Sequence, residues 1–372
     1  MRIGFDAKRA FHNHTGLGNY SRTVIRQLTR IYPGNQYYLF TPRTTKKFEA
    51  FPPDNVFVIE PHNTFDRFFS SYWRSYRMGK DISSQKIDLF HGLSNELPRN
   101  IRKSHVKSVV TIHDLIFLRY PHLYKKIDRA FYQNKFLSAS RMADKIIAIS
   151  EQTRTDLITF FNTDPEKIEV VYQGCNPVFY EKASAEKKNH VREIYNLPEN
   201  YILYVGTIEE RKNLLQLIKA RHEYNIDIPL VVIGRPTSYM KMIKEYIAEK
   251  RITDVHFLEH ISQSDLPPVY QMSSVFVYPS SFEGFGIPIL EALNSGVPVI
   301  AATGSCLEET GGSHSIYFNP QNPEEIANAL IKVLSEKELR ETMIVEGNKY
   351  AQNFREENTA GKLMELYEKL II

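Results

Sequence analysis

The sequence predicts an α/β protein with two domains, each built on a parallel sheet, and three observations support this prediction. Short apolar segments such as Arg2–Asp6 and Val275–Tyr278 alternate with segments whose apolar residues recur at helical spacing. Several apolar segments end in polar residues, as strands do where a parallel sheet carries its binding crevice. The 372 residues are enough for two domains that each bury a core.

The composition is that of a soluble globular protein. It is 42% hydrophobic and 24% charged, and no run approaches the roughly 18 apolar residues of a membrane span. The first residues lead into a strand and carry no apolar signal core. Cys175 and Cys306 lie far apart without a histidine cluster, which favours reduced thiols over a disulfide or a metal site. We therefore expect a cytoplasmic protein.

The net charge of +4 is unevenly distributed along the chain. Residues 1–180 carry 27 Lys and Arg against 16 Asp and Glu, a balance of +11, whereas residues 181–372 carry 20 against 27, a balance of −7. A basic half predicts an anionic partner, such as a lipid surface or a phosphorylated acceptor. The sequence has no zinc-finger or RNA-binding motif, so we expect no nucleic-acid partner.

The first half of the chain alternates strands with helices. Predicted strands cover Arg2–Asp6, Gln36–Phe40 and residues 56–60, 88–90, 108–112, 145–149 and 168–172. Predicted helices cover residues 20–31, 124–142 and 151–161, the last with Ser150 as its N-cap. A loop with Gly16 and Gly18 precedes the first helix, and it lacks the third glycine of a dinucleotide fingerprint.

Residues 65–77 combine six aromatic side chains, including the single tryptophan, with three arginines. A helix of this composition is suited to lie on a membrane or to line a cleft for an acceptor. The alternative is an aromatic helix packed against the sheet, with its arginines in solvent. Both interpretations stay open from the sequence.

The second half repeats the alternation after a polar stretch, residues 178–198, that is typical of an interdomain linker. Strands are predicted at residues 201–205, Leu230–Ile233, Val255–Leu258, Val275–Tyr278 and residues 297–301. Gly206 ends the first of these, and Arg211 and Lys212 follow it just before the next helix. Two adjacent cations can neutralise a departing diphosphate, and a solvated charge run is the alternative.

Residues 281–301 carry the strongest functional pattern. A Gly-rich loop from Glu283 to Gly286 connects a strand to a helix whose first turn holds Pro288. Free N–H groups at a helix start suit a phosphate. The carboxylates of Glu283 and Glu291 would repel it, so we expect them to bind neutral groups such as sugar or ribose hydroxyls. An ordinary loop with two solvated glutamates is the alternative.

This segment resembles the Glu-x7-Glu motif of retaining nucleotide-sugar glycosyltransferases of family 4. The matching residues are 282–286, Pro288, Glu291, Ala292, Gly296 and 298–300. The resemblance implies the GT-B fold, in which two Rossmann-like domains face each other across a cleft. Residues 1–180 would form the acceptor-side domain, with residues 357–372 packing back on it. Residues 181–356 would form the donor-binding domain.

The resemblance also implies a donor site for a nucleotide diphosphate sugar. Its residues would be Gly16, Gly18, Gly206, Arg211, Lys212, Ile261, Glu283, Gly284, Phe285, Gly286, Ile287 and Glu291. Arg211 and Lys212 would face the diphosphate. Glu283 would accept sugar hydroxyls, and Glu291 would accept those of the ribose.

A histidine from the first half completes the implied site. His113 ends a strand and matches the family's position for a histidine that touches the donor sugar. The implied catalytic set is therefore His113, Arg211, Lys212 and Glu283. His91 and Ser94, at the end of another strand, are candidates for the acceptor side.

In the resembled family the product keeps the donor's anomeric configuration, and no protein nucleophile is expected. We expect no cofactor and no metal, since the chain has no Asp-x-Asp pair and its two cations can supply positive charge. The resemblance favours a hexose, mannose above others, moved to a glycan or lipid-linked acceptor in cell-surface polysaccharide synthesis. Transfer to a lipid-linked acceptor would place the enzyme peripherally on the inner face of a membrane.

Three other functions remain open from the sequence. A two-domain NAD-dependent oxidoreductase requires a complete Gly-x-Gly-x-x-Gly fingerprint, which the chain does not show. A nucleotide-sugar epimerase would share the fold. A silent nucleotide-binding module would leave the charged residues beside the Gly-rich loop unexplained.

Overall fold

The computed structural model describes residues 1–13, 15–45 and 54–371. Their contacts divide the chain into two compact units. The first comprises Met1–Gln173 together with the C-terminal helix that starts at Glu356, and the second comprises Gly174–Arg355. The predicted divisions lie close to these limits, between residues 180 and 181 and between residues 356 and 357.

The first unit is built on a parallel sheet. Its strands are β1 (Arg2–Asp6), β2 (Gln36–Phe40), β3 (Val56–Ile59), β4 (Leu89–Gly92), β5 (Lys107–Ile112), β6 (Lys145–Ala148) and β7 (Ile168–Val170). Within the described residues their order is β3-β2-β1-β4-β5-β6-β7. The order reverses between β1 and β4, and the carboxyl ends of such a strand pair frame the ligand crevice of a doubly wound sheet.

Helices connect these strands, as parallel pairing requires. They are α1 (Lys8–His12), α2 (Gly16–Ile31), α3 (Thr64–Phe68), α4 (Ser70–Tyr72), α5 (Met78–Ser84), α6 (Ile116–Arg119), α7 (Lys126–Met142) and α8 (Glu151–Phe161). The Ser150 hydroxyl accepts a hydrogen bond from Thr153 N at the start of α8, which confirms the predicted cap.

The second unit repeats this architecture. Its strands are β8 (Ile202–Val205), β9 (Leu230–Ile233), β10 (Val255–Leu258), β11 (Val275–Tyr278), β12 (Val299–Ala302) and β13 (Ile316–Phe318). Its helices are α9 (Ala185–Tyr195), α10 (Leu214–Glu223), α11 (Tyr239–Glu249), α12 (Leu266–Met272), α13 (Ile287–Asn294), α14 (Leu307–Gly311), α15 (Pro323–Ser335) and α16 (Lys337–Ala351).

The second sheet has the order β10-β9-β8-β11-β12-β13, again counted over the described residues. Its order reverses between β8 and β11, so the crevice lies at the carboxyl ends of those two strands. β11 is buried along its whole length, and its run of apolar residues is what a parallel strand covered on both faces needs. The predicted α/β class with two Rossmann-like units is confirmed.

The last helix, α17 (Glu356–Ile371), belongs to the first unit. Its buried face includes Leu363 and Tyr367, and it contacts α2. Arg30 Nη2 lies 2.6 Å from Glu356 Oε2 at the start of the helix. An apolar stripe at helical spacing thus packs α17 against α2.

The aromatic segment is not one helix. After α3 and α4, a single π-helical turn, Trp73–Arg77, leads into α5. Trp73 is buried, and its indole N–H donates to Asp81 Oδ2 at 2.6 Å.

Among the described residues, no helix is long and apolar enough to cross a bilayer.

The predicted solvent exposure of the three arginines is wrong for Arg74. Arg74 is buried, and its Nη2 lies 2.5 Å from Asp6 Oδ2 and 3.1 Å from Glu96 Oε2. Lys135 Nζ reaches the other Glu96 oxygen at 2.5 Å. Because a buried charge requires partners, Arg74 is a structural member of this ion-pair network.

The remaining aromatic residues of the segment are exposed, so the packing interpretation is wrong for them. We define the aromatic face as Phe65, Phe68, Phe69, Tyr72 and Tyr76. Its rings contact one another in tilted arrangements, with centroids 4.8 Å apart for Phe65 and Phe69 and 5.3 Å apart for Tyr72 and Tyr76. Exposed apolar clusters of this kind mark interaction surfaces.

Candidate active site

The Gly-rich loop connects β11 to α13 and holds a conformation that only glycine adopts readily. Gly286 is the N-cap of α13, with φ +112°, and a Cβ there would meet Leu307 Cδ2 at 2.8 Å. α13 then begins at Ile287, with Pro288 in its first turn. Pro288 has no N–H and Ile289 N donates to the Gly286 carbonyl at 2.9 Å, so the N–H groups that suit a phosphate at this helix start are those of Gly286 and Ile287.

Two residues that the sequence analysis missed hold this loop from the side of α14. The Thr310 hydroxyl donates to the Phe285 carbonyl at 2.6 Å. The Cys306 thiol lies 3.1 Å from the carbonyls of both Glu283 and Phe285. Cys306 is fully buried, and its thiol contacts support the loop.

Arg211 and Lys212 lie in a 3₁₀ turn, Glu210–Lys212, that follows β8. Asn213 ends the turn in the left-handed conformation, with φ +59°, and caps α10. The Arg211 carbonyl accepts a hydrogen bond from Ser281 N at 2.9 Å. The loops after β8 and β11 are therefore joined at the crevice of the second sheet.

Glu283 lies between the two cations. Its Oε1 is 3.0 Å from Arg211 Nη1 and 2.5 Å from Lys212 Nζ. The same oxygen accepts hydrogen bonds from the Ser280 hydroxyl at 2.5 Å and the Tyr278 hydroxyl at 3.2 Å. Arg211 also pairs with Glu209 at 2.7 Å and donates to the Phe282 carbonyl. The structure thus brings three predicted site residues together.

The electrostatics of this cluster favour the ionised forms of Glu283 and Arg211. Burial alone would raise the pKa of the Glu283 carboxyl, but Arg211 and Lys212 lower it to about 2. Burial opposes the charge of Arg211, yet Glu283 and Glu209 raise its pKa well above the ordinary value. Burial lowers the pKa of Lys212, and the neighbouring Arg211 lowers it further, because two cations share one carboxylate.

Glu291, one turn inside α13, is in a different environment. Its Oε2 accepts a hydrogen bond from the buried Tyr270 hydroxyl at 2.9 Å. Burial raises the pKa of the Glu291 carboxyl to about 7, and the Tyr270 bond opposes this shift. Tyr270 was not predicted, since nothing in the sequence shows that α12 packs against α13.

His113 follows β5 in the first unit, and its protonation state follows from its bonds. Its Nε2 lies 2.9 Å from the Leu93 carbonyl, so Nε2 carries the proton and Nδ1 is the ring's acceptor. Asn95 Oδ1 accepts from His113 N at 2.8 Å. Burial lowers the pKa of His113 to about 4, which leaves the ring neutral at physiological pH.

His91 makes its side-chain contacts inside the first unit, which argues against the predicted acceptor role. The sequence places it on the acceptor side, but its side chain is fully buried. Its Nδ1 lies 2.6 Å from the Tyr367 hydroxyl and its Nε2 lies 2.8 Å from Thr111 Oγ1. With both ring nitrogens bonded inside the unit, His91 connects α17 to the sheet. Ser94 is also buried, and its hydroxyl has no bonding partner among the described residues.

The two glycines near the N-terminus lie in the first turn of α2 and not in a preceding loop. A Cβ on Gly18 would meet the Asn13 carbonyl at 1.9 Å, so internal packing accounts for this glycine. A Cβ on Gly16 would meet no atom of the described residues within 4 Å. Gly206 ends β8 at the crevice, and Ile261 lies beyond β10 at the sheet's edge.

The arrangement in the second unit can bind a polar, doubly charged anion beside hydroxyl groups. Its cations, Arg211 and Lys212, lie at the carboxyl end of β8, and its carboxylates, Glu283 and Glu291, follow β11. Among the described residues, no group of three or more His, Cys, Asp or Glu side chains is arranged to hold a metal ion.

Two family models match consecutive parts of the chain. The one described as Glycosyltransferase Family 4 matches residues 14–179, and the one described as Glycosyl transferases group 1 matches residues 186–350. Together they cover most of both units. The chain is a glycosyltransferase of family 4. The predicted resemblance is confirmed, and the oxidoreductase and epimerase alternatives receive no support.

Known relatives agree with this family. The O-antigen chain mannosyltransferase B of Escherichia coli is 25% identical over 387 residues and is covered, like this chain, over 100% of its length. Sucrose-phosphate synthase of Thermosynechococcus elongatus has a TM-score of 0.79 at 20% identity, covering 100% of this glycosyltransferase and 99% of the synthase.

A further solved structure is Alr3699/HepE of Anabaena in complex with UDP-glucose. Its TM-score is 0.75 at 17% identity, covering 99% of this chain and 100% of that one. These structural likenesses show the fold, which is the predicted GT-B type with two Rossmann-like units.

The raised pKa of Glu291 predicts how stability depends on pH. A carboxyl with a higher pKa in the folded state contributes stability that is present below its unfolded pKa and is lost as pH rises through about 7. Glu291→Gln keeps the Tyr270 bond but cannot ionise. We expect the melting temperature of this variant, relative to that of the wild type, to be higher at about pH 8 than at about pH 5.

The control is Glu338→Gln, on an exposed part of α16, which should follow the wild type at every pH. Equal pH dependence of melting in wild type and Glu291→Gln would contradict the assignment of a partly buried, weakly acidic Glu291.

Proposed function

We propose that this glycosyltransferase moves a hexose, mannose, from a nucleotide diphosphate sugar to a glycan or lipid-linked acceptor in cell-surface polysaccharide synthesis, with retention of configuration. The observation that carries the donor class is the pairing of Arg211 and Lys212 with Glu283 at the carboxyl ends of β8 and β11. The choice of mannose is supported by the full-length similarity to an O-antigen mannosyltransferase.

The donor would lie along the crevice of the second unit. Its diphosphate would bind Arg211, Lys212 and the backbone N–H groups at the start of α13. Glu283 would accept hydroxyls of the sugar. Glu291 would accept the ribose hydroxyls, a task for its ionised form because a carboxylate accepts hydrogen bonds through both oxygens.

Transfer would proceed by stabilising the leaving group. As the glycosidic bond breaks, negative charge grows on the diphosphate, and Arg211 and Lys212 neutralise it without a metal ion. The acceptor hydroxyl would attack the anomeric carbon from the face that the diphosphate leaves, and the leaving phosphate would take the hydroxyl proton. The new glycosidic bond would thus form without a side chain as nucleophile. His113, neutral and with Nδ1 as its acceptor atom, would hydrogen-bond to the sugar, and Gly16 would leave room beside it. Ile261 would face the base.

The activity test combines donor, acceptor and stereochemistry. Purified enzyme is incubated with GDP-mannose, UDP-glucose and other nucleotide sugars, each with mannose-terminated oligosaccharides, and the product's anomeric signals are followed by NMR. We expect mannose transfer with retained configuration that persists in EDTA. Inversion, or loss of turnover in EDTA that magnesium or manganese restores, would contradict the respective part of the proposal.

Removing either cation should slow the chemical step more than it weakens binding. For Arg211→Ala and Lys212→Met we expect kcat to fall on the order of 10²-fold, as for other preorganised groups that stabilise developing charge. The matched control is Lys241→Met, an exposed lysine of α11 in the same unit. A normal kcat in both site variants would overturn the role of the cations.

We also propose that the first unit docks reversibly on an anionic membrane. The aromatic face is exposed, with Phe68 82% accessible, and residues 1–180 carry a charge balance of +11. Arg99 stands over the Tyr76 ring at 5.7 Å and adds a cation at the edge of the face. Basic residues near an anionic leaflet contribute about 1 kcal/mol each, and exposed aromatic rings settle at the lipid interface.

Co-sedimentation with phosphatidylglycerol vesicles at low salt tests this docking. We expect Phe65→Ser combined with Phe68→Ser to weaken binding by about tenfold or more, because both side chains would leave water on docking. Phe160→Ser, an exposed phenylalanine of α8 in the same unit, should bind like the wild type. Absent binding by the wild type, or equal binding by all variants, would reject the proposal.

A further inference from the structure

We propose that Tyr278 and Ser280 are positioning residues, which hold one oxygen of Glu283 so that the other, Oε2, is presented to the hydroxyls of the donor hexose. The inference rests on the proposed role of Glu283 in sugar binding. In the structure, two cations and two hydroxyls approach Oε1 of Glu283, and none of these four contacts is made with Oε2.

Four close polar contacts from the described residues converge on Oε1. Arg211 Nη1 and Lys212 Nζ approach it at 3.0 and 2.5 Å. The hydroxyls of Ser280 and Tyr278 approach it at 2.5 and 3.2 Å. A carboxylate offers about two acceptor sites on each oxygen, so Oε1 is saturated. None of these four contacts is made with Oε2, and the Glu283 side chain is 11% exposed.

Ser280 has one proton, and the geometry directs it to Glu283. Ser280 is fully buried, and its Oγ is 2.5 Å from Glu283 Oε1. The other acceptors near it, the carbonyls of Phe282 and Arg211, are 3.3 and 3.4 Å away. The shortest bond is also the one to a charged acceptor, and such bonds are stronger than neutral ones.

Tyr278 fixes Glu283 and Lys212 together. Its hydroxyl accepts from Lys212 Nζ at 2.6 Å and donates to Glu283 Oε1 at 3.2 Å. Lys212 Nζ also stands 4.9 Å from the centre of the Tyr278 ring. Burial raises the pKa of Tyr278 well above its ordinary value, so the phenol keeps its proton. As the last residue of β11, it stands on a rigid element.

The hydroxyls of Ser280 and Tyr278 also affect how Arg211 binds Glu283. A guanidinium prefers to bind both oxygens of a carboxylate, which would engage Oε2 as well. Ser280 and Tyr278 both donate to Oε1, and the Arg211–Glu283 contact of 3.0 Å from Nη1 is made with the same oxygen. Oε2 can therefore accept a hydrogen bond from a hydroxyl of the ligand. Loss of either hydroxyl should let the Glu283 carboxylate rotate toward Arg211.

The kinetic test compares Ser280→Ala and Tyr278→Phe with the wild type, using GDP-mannose and analogues that each lack one hexose hydroxyl. In the wild type, we expect removal of the hydroxyl that Oε2 accepts to lower kcat/KM on the order of 10- to 100-fold. In both variants this penalty should shrink several-fold, and the loss with intact donor should lie mainly in kcat.

Tyr201→Phe is the matched control. Tyr201 is a buried tyrosine at the start of β8 in the same unit, and its hydroxyl donates to the Val269 carbonyl at 2.5 Å, away from Glu283. We expect this variant to lose stability and to keep the wild-type penalty for each missing hydroxyl. A purely structural role for Tyr278 would make Tyr278→Phe behave in the same way, and that result would overturn the proposal.

Crystal structures of the two variants provide a readout that needs no donor. We expect Glu283 to turn so that both oxygens face Arg211. An unchanged Glu283 side chain in both variants would overturn the proposal, whatever the kinetics. If the wild type transfers no sugar from any nucleotide donor, the proposed function fails, and the crystal structures still decide whether Tyr278 and Ser280 position Glu283.

Discussion

Two largely buried cations share one carboxylate in the second unit, and the arrangement of the crevice depends on this pairing. Glu283 compensates the charge of Lys212 and, together with Glu209, that of Arg211. Removing one member of a buried ion pair costs roughly 3–5 kcal/mol, because the other charge remains unpaired. The same contacts join the loops that follow β8 and β11. A diphosphate would bind beside a cluster whose charge is already organised, so little reorganisation is needed during transfer.

The two carboxylates of the motif have opposite properties because their surroundings differ. Cations hold the pKa of Glu283 at about 2, whereas burial against Tyr270 leaves that of Glu291 at about 7. Each is anchored through one oxygen by a buried tyrosine, Tyr278 or Tyr270. A permanently ionised group thus lies at the proposed sugar end, and one that titrates near neutral pH lies at the proposed ribose end.

The first unit uses neutral groups at the corresponding edge of its sheet. His91, Thr111, Tyr20 and Tyr367 form a continuous chain of hydrogen bonds, in which Thr111 Oγ1 contacts both His91 and Tyr20. The Tyr20 ring meets His113 edge-on, with centroids 4.6 Å apart. Because each buried polar group is satisfied by its neighbour, the C-terminal helix contributes to the position of the strand-end histidine.

The sequence alone determined the strand–helix alternation and the residues of the Gly-rich loop, because apolar periodicity and glycine needs are local properties. Its Glu-x7-Glu pattern also indicated the family that the comparisons show. Tertiary structure decided which side chains meet. Arg74 pairs with Asp6 across 68 residues, and His91 pairs with Tyr367 across 276. The saturation of one Glu283 oxygen was likewise invisible, since it depends on atoms brought from separate loops into a site from which water is largely excluded.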